Sequence, residues 1–291
     1  MKPRLAHALL ACLLATAGCG GLVRQATAPL VDNLSKTIMR ENDPQLVRDG
    51  SPTLMLLVES FANSNPDDAP TLAAAAQMFS SYATAFVAAD NPERAKLLSE
   101  KAKNYAFRAM SLKNKEFAKR NALPYADFEP VLATFKKEDV PDIFLVVSVW
   151  ATWIQTRADD WNAVADLAKV QALTQKLLEL DGNYFYGAPH LYMAVLYTFL
   201  PPTLGGRPDD GRREFEAAIK AGDGHFLPTY VYYAKQVAMP AMDKKLFAAL
   251  MQHVRETPAE IVPELTLVNT LAKKDAEKLE AQAKSYFEPT E

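Results

Sequence analysis

Between Asn183 and Ala238 an aromatic-rich helical segment runs into a hard stop at Pro201-Pro202, a Leu204-Gly205-Gly206 turn and then an amphipathic helical segment. Successive prolines stop a helix, because each lacks the amide that would close an i→i−4 bond. The glycines that follow let the backbone reverse. Two helices joined in this way are the building unit of helical-repeat proteins. A chain holding such a unit is committed to packing helix on helix. The remainder agrees, since short alternating windows such as Val146 to Val149 sit inside helical patterns rather than standing as strands.

The rest of the sequence reads as a succession of helices. Segments are expected at 31–39, Pro52 to Ala62, Pro70 to Ala88, Pro92 to Lys119, Pro124 to Phe135 and Pro141 to Arg157. They continue at Trp161 to Leu180, Thr229 to Ala238, Asp243 to Arg255 and Ala272 to Phe287. Asn42-Asp43-Pro44 and Asn63-Ser64-Asn65-Pro66 interrupt the early part, and Asp181-Gly182-Asn183 has the composition of a left-handed C-terminal cap. Leu98, Ala102, Tyr105, Ala109 and Leu112 recur at helical spacing and predict one apolar face. Gly211, Phe215 and Ala218 give a small, aromatic, small spacing of the kind that nests one helix of a tetratricopeptide repeat on the other. Ala95, Ser99 and Ala102, and again Ala168, Ala172 and Gln175, offer similar stripes. No clean period of about 34 residues emerges. The expectation is an all-α, degenerate tetratricopeptide-like array forming one domain over residues 29–291.

The N-terminus indicates export. Lys2 and Arg4 precede the largely apolar run Leu5 to Ala17, and Ala17-Gly18-Cys19 closes it. This is a secretory signal, 1–18, too short for a membrane anchor. A small pair followed at once by Cys resembles a bacterial lipobox, which makes Cys19 the lipidated first residue of the mature chain and 19–28 its tether. Thr16 stands where that pattern prefers Leu. Of the two cysteines, Cys12 lies within the signal, so the mature chain has no disulfide framework. The net charge of −3, with no basic stripe, argues against nucleic acid as a partner.

Two segments are apolar nearly all round. One includes Phe144, Val147, Trp150 and Trp153; the other includes Leu191, Met193, Leu196, Tyr197 and Phe199. Such helices are either central to the core or partly line an apolar cavity in which tyrosine hydroxyls act as polar handles. The residues alone favour core. If a cavity exists, Trp150, Trp153, Tyr186, His190, Tyr192 and Tyr197 are its candidates. The stiff loop Pro201, Pro202, Leu204, Gly205, Gly206 and Arg207 is either a glycine-dependent turn or a surface that docks a partner.

Nothing resembles a catalytic centre. His190, His225 and His253 lack metal-ligand spacing, and no metal or cofactor is implied. The paired acids Asp67-Asp68, Asp159-Asp160 and Asp209-Asp210 stand at helix starts, where capping accounts for them. Arg207, Arg212 and Arg213 read as a solvated face, with an anionic ligand as the alternative.

The lipobox, the segment ERAKLLSEKAKNYAFRAM from Glu93 and the block from Tyr186 to Ala234 together resemble the TatT family, the T-component lipoproteins of TRAP-type (tripartite ATP-independent periplasmic) uptake systems. The Leu204-Gly205-Gly206 turn is among that family's most characteristic features. The resemblance implies a tetratricopeptide-like homotrimer with an enclosed cleft. It also implies a periplasmic place on the outer membrane, through the lipid alone, and a TRAP-type solute-binding protein as partner. Holding or passing a small organic or apolar ligand is then the expected role, without covalent chemistry. A ligand-free envelope scaffold is the alternative.

Overall fold

In the computed structural model, residues 33–287 are described, and these form thirteen helices and no strand. The signal, Cys19 and the tether lie outside the described residues. After a helical stretch at 33–39, the elements are α1 (Pro44–Ser64), α2 (Ala69–Tyr82), α3 (Pro92–Lys113), α4 (Lys115–Arg120), α5 (Tyr125–Phe128) and α6 (Val140–Gln155). Then follow α7 (Trp161–Ala165), α8 (Leu167–Asp181), α9 (Tyr184–Thr198), α10 (Pro208–Ala221), α11 (Pro228–Tyr233), α12 (Lys244–Glu256) and α13 (Thr266–Phe287). The all-α class is as the sequence indicates. Helix lengths from 4 to 22 residues carry no fixed repeat period.

Capping chemistry sets most boundaries, and it corrects several expected ones. Helix α1 starts at Pro44, not Pro52, because the Asp43 carboxylate accepts from the amides of Gln45 and Leu46 and outcompetes the later proline as a start signal. The expected helix from Pro92 to Lys119 breaks at Asn114, which ends α3 and caps α4 by accepting from the Phe117 amide at 2.9 Å. The segment expected from Trp161 to Leu180 divides at Asp166. Of the paired acids, Asp68 caps α2 and Asp160 caps α7. Asp209 and Asp210 occupy the first turn of α10, where Asp210 pairs with Arg207 and Arg213.

The buried stripe of α3 is Ala95, Ser99, Ala102, Ala106, Ala109 and Met110, mostly small residues that let α2 approach closely. Leu112, expected on that face, is exposed. On α8 the small-residue stripe fails. Ala168 and Gln175 are exposed, and Leu167, Val170, Leu173 and Leu177 are buried instead. The reason is the partner: α6 is a broad apolar surface that only large aliphatics cover. On α10, Gly211, Phe215 and Ala218 are buried against α9 as expected. A Cβ at Gly211 would lie 2.5 Å from the Thr198 methyl, so glycine sets how close the two helices come.

The buried side chains form two large clusters. One is built mainly from α2 to α8, and the other from α9 to α13. Helix α9 lies between them, giving Leu196 to the first and Leu191 and Ala194 to the second. Phe144 on α6 packs against both. Asn269 on α13 is fully buried and ties the second cluster together. Its carbonyl accepts from the Leu227 amide at 3.0 Å, and its amide donates to the His225 carbonyl at 3.0 Å.

Candidate functional site

The seam between the two clusters begins where α8 hands over to α9. Gly182 was expected to be the left-handed stop, but its φ is −65°. The left-handed turn comes three residues later, at Phe185 (φ 42°), Tyr186 (φ 58°) and Gly187 (φ 77°). Two non-glycine residues in succession there are strained, at roughly 1–2 kcal/mol each. The surroundings hold them. A Cβ on Gly187 would fall 2.8 Å from the Ala218 carbonyl oxygen, and one on Gly222 would fall 2.7 Å from the Tyr186 carbonyl oxygen. The backbone of the turn therefore lies directly on the C-terminal half of α10.

The turn throws its aromatic rings into the seam. Phe144 stands edge-on to Tyr184 at 5.3 Å and to Tyr192 at 5.7 Å, with Phe185 at 6.1 Å. Phe185 in turn meets Phe226 at 5.9 Å and Tyr186 at 5.6 Å. Beyond these rings the Tyr192 hydroxyl lies near Ser148 of α6 and Tyr232 of α11, both of which influence its ionisation. Tyr192 and Tyr232 are each half-buried, and burial is the main cause of the raised pKa of both phenols. The accessible surface left on these two rings marks a candidate cleft between α6, α9 and α11. Its walls are aromatic and its polar groups are hydroxyls, a chemistry suited to an apolar body with one or two polar atoms.

Burial raises the pKa of these phenols above their usual 10, and for Tyr192 the neighbouring Tyr232 adds to the effect while Ser148 opposes it. Burial together with a carboxylate partner lifts Tyr105, beside Glu59, and Tyr233, beside Glu216, to about 12. Well below pH 10 these buried phenols are neutral in both folded and unfolded chains. Between about pH 10 and 12 the unfolded chain releases protons that the fold retains, so stability falls as pH rises through that window. In an absorbance titration at the tyrosinate band, Tyr192 and Tyr232 are expected to ionise only together with unfolding. Complete tyrosine ionisation in a chain that keeps its helical signal would contradict the effect of burial on them.

The six candidate ligand residues do not share one place. Tyr192 lines the cleft and Tyr186 stands at its edge. His190 and Tyr197 lie on the α9 face turned to α10. There His190 Nδ1 is 2.6 Å from a Glu214 carboxylate oxygen, and the Arg207 guanidinium covers the Tyr197 ring at 3.9 Å. Helical spacing explains the split, since residues seven apart share a face and those two apart nearly oppose each other. Trp150 and Trp153 belong to the first cluster, on another side of α6. Ser148, Tyr184, Phe185 and Tyr232 were not singled out from sequence. The available signal was the run Tyr184-Phe185-Tyr186 immediately before Gly187.

The loop after α9 is ordered by its glycines. Gly205 has φ 94°, and a Cβ on Gly206 would overlap the Leu200 carbonyl oxygen at 1.8 Å. The Arg207 amide donates to the Tyr197 carbonyl at 2.7 Å. This fixed turn leaves Pro201, Pro202, Leu204 and Arg207 exposed. Among the described residues no group of three or more His, Cys, Asp or Glu could hold a metal, and no helix is long and apolar enough to cross a membrane.

The family model of the TRAP transporter T-component matches residues 40–287, which include the cleft, the strained turn and the loop. The chain belongs to that family. No curated protein matches it. T-components have an accessory role in TRAP transport, on the periplasmic side.

Proposed function

We propose that this T-component is a lipid-anchored periplasmic protein that binds a TRAP-type solute-binding protein and holds or passes its small organic or apolar ligand. The cleft between α6, α9 and α11 is the holding site. The observation that carries this reading is the pair Tyr192 and Tyr232, half-buried among aromatic walls beside a strained turn. Strain of that kind persists where the surroundings over-determine it and gathers at ligand sites. The work is binding, with no covalent step.

The test is a thermal-shift screen of small aromatic acids, alkyl alcohols and fatty acids on the mature chain. A ligand at a hundredfold excess over its dissociation constant stabilises the fold by about 2.7 kcal/mol, which for a chain of this size is a rise of roughly 5–10 °C. The double variant Tyr192→Phe, Tyr232→Phe removes two oxygen atoms and little packing, and it is expected to lose most of that shift. No shift with any compound would remove the ligand from the proposal.

The envelope scaffold then remains, favoured by the rigid and exposed loop from Pro201 to Arg207. Leu204→Asp is expected to abolish capture of the purified solute-binding protein under either reading. Retained capture would move the docking surface elsewhere. A homotrimer anchored to the outer membrane through Cys19 completes the proposal. Cys19→Ser is expected to free the mature protein from membranes or to leave the precursor unprocessed, because the acyl chains supply the anchoring at about 0.8 kcal/mol per buried methylene. A processed variant that still sediments with membranes would end the lipoprotein reading.

A further inference from the structure

On the opposite side of α6 from the cleft, Trp150 and Trp153 enclose a group of charges with no part in the reading above. Lys103 on α3 places its ammonium 3.4 Å from the centre of the Trp153 ring, 5.3 Å from that of Phe107 and 5.7 Å from that of Trp150. Its side chain keeps only 16 % of its accessible surface. Its nearest carboxylate, Asp166, is 3.9 Å away, beyond hydrogen-bond length. That carboxylate is otherwise engaged: it accepts from Trp150 Nε1 at 3.2 Å, and Lys169 Nζ stands 2.9 Å from it.

The other charges around Lys103 are satisfied too. Glu100 accepts from Trp153 Nε1 at 2.6 Å and from Arg157 at 3.0 Å. Arg157 also donates to Ser99 Oγ at 3.0 Å and to the Lys96 carbonyl at 2.9 Å. Lys169 adds a bond to the Asn121 carbonyl at 3.3 Å. Lys103 is thus the member of the group whose donors meet aromatic faces rather than acceptors. Three cations, Lys103, Arg157 and Lys169, face two carboxylates, Glu100 and Asp166, which leaves one positive charge in excess.

We propose that Lys103 anchors a second, separate binding site, one that takes a single small monoanion of the carboxylate type. An ammonium whose nearest carboxylate stands beyond hydrogen-bond length and one surplus charge match a ligand of charge −1. A dianion would face Asp166 and Glu100 with too little compensation. Burial lowers the Lys103 pKa, Asp166 and Glu100 oppose that shift, and Arg157 and Lys169 add to it. A bound carboxylate favours the ammonium form, so binding weakens as pH rises through that lowered value.

The experiment follows tryptophan fluorescence in the mature chain carrying Trp161→Phe, which removes the exposed indole and leaves the two at the site. Benzoate is the probe, with benzyl alcohol and inorganic phosphate as the neutral and more highly charged controls. Benzoate is expected to change the emission saturably, with at least tenfold tighter binding than either control. Lys103→Met should abolish the response, Lys103→Arg should keep it within a few-fold, and the Tyr192→Phe, Tyr232→Phe double variant should leave it unchanged. Circular dichroism establishes that each variant is folded. No saturable response to benzoate, equal binding of benzyl alcohol or phosphate, or full retention in folded Lys103→Met would each overturn the proposal. Loss in the double tyrosine variant would also overturn it, by placing benzoate in the cleft.

Discussion

Trp150→Ala is expected to destabilise the fold by about 3–5 kcal/mol, lowering the midpoint of thermal unfolding by roughly 10 °C. Trp150 is fully buried. Phe107 and Phe128 meet it edge-on at 4.7 and 6.1 Å, and its indole N–H is taken by Asp166. Alanine would leave a cavity at the centre of the first cluster and take from the Asp166 carboxylate the indole N–H it accepts, leaving it Lys169 and the more distant Lys103. Trp150→Phe separates the two losses. It keeps most of the volume and removes the hydrogen bond, so a cost of about 1–3 kcal/mol is expected. Denaturant unfolding by circular dichroism reads both. A cost below about 1 kcal/mol for the alanine variant would mean that this part of the interior is open rather than packed.

Trp150 also illustrates what the sequence could and could not reveal. Its helix is apolar nearly all round, so burial was legible, and core was the favoured reading. Which face of α6 meets which neighbour was not legible. That depends on α8 presenting large aliphatics instead of its small-residue stripe, and on α9 turning Tyr192 toward Phe144. The small, aromatic, small pattern of α10 was readable because glycine and alanine at those positions have one plain use, close approach. Lys103 was invisible for a related reason. Its aromatic walls come from α3 and α6, which are distant in sequence, and a lone lysine on a helix ordinarily reads as solvated surface.

The strained turn was misplaced rather than missed. Asp-Gly-Asn is the composition that left-handed backbone normally takes, and Phe-Tyr-Gly is not. Local preference lost to packing at this point. The close approach of residues 186 and 187 to α10 fixes the backbone, and the side chains follow. The aromatic seam depends on that override, since the reversed chain is what brings Tyr184 and Phe185 to Phe144.

Gly187→Ala tests this directly, and its expected cost is about 2–4 kcal/mol. One part is the left-handed conformation, φ 77°, which a side chain strains. The other is steric, because the new methyl would sit 2.8 Å from both the Ala218 carbonyl oxygen and the Ala221 Cβ. Neither neighbour can step aside, since one is backbone and the other a short side chain on a packed helix. Gly50 gives the matched control. It lies in α1 with nothing within 4 Å of its would-be Cβ, so Gly50→Ala is expected to stabilise by about 0.5–1 kcal/mol. The two substitutions are chemically identical and should move the unfolding midpoint in opposite directions. Easing α9 away from α10 also withdraws Phe185 from the seam, so in Gly187→Ala the Tyr192 and Tyr232 phenols are expected to ionise before the helices melt. Unchanged stability in Gly187→Ala would show that the turn relaxes without cost, and the strained backbone would then carry no weight in the ligand reading.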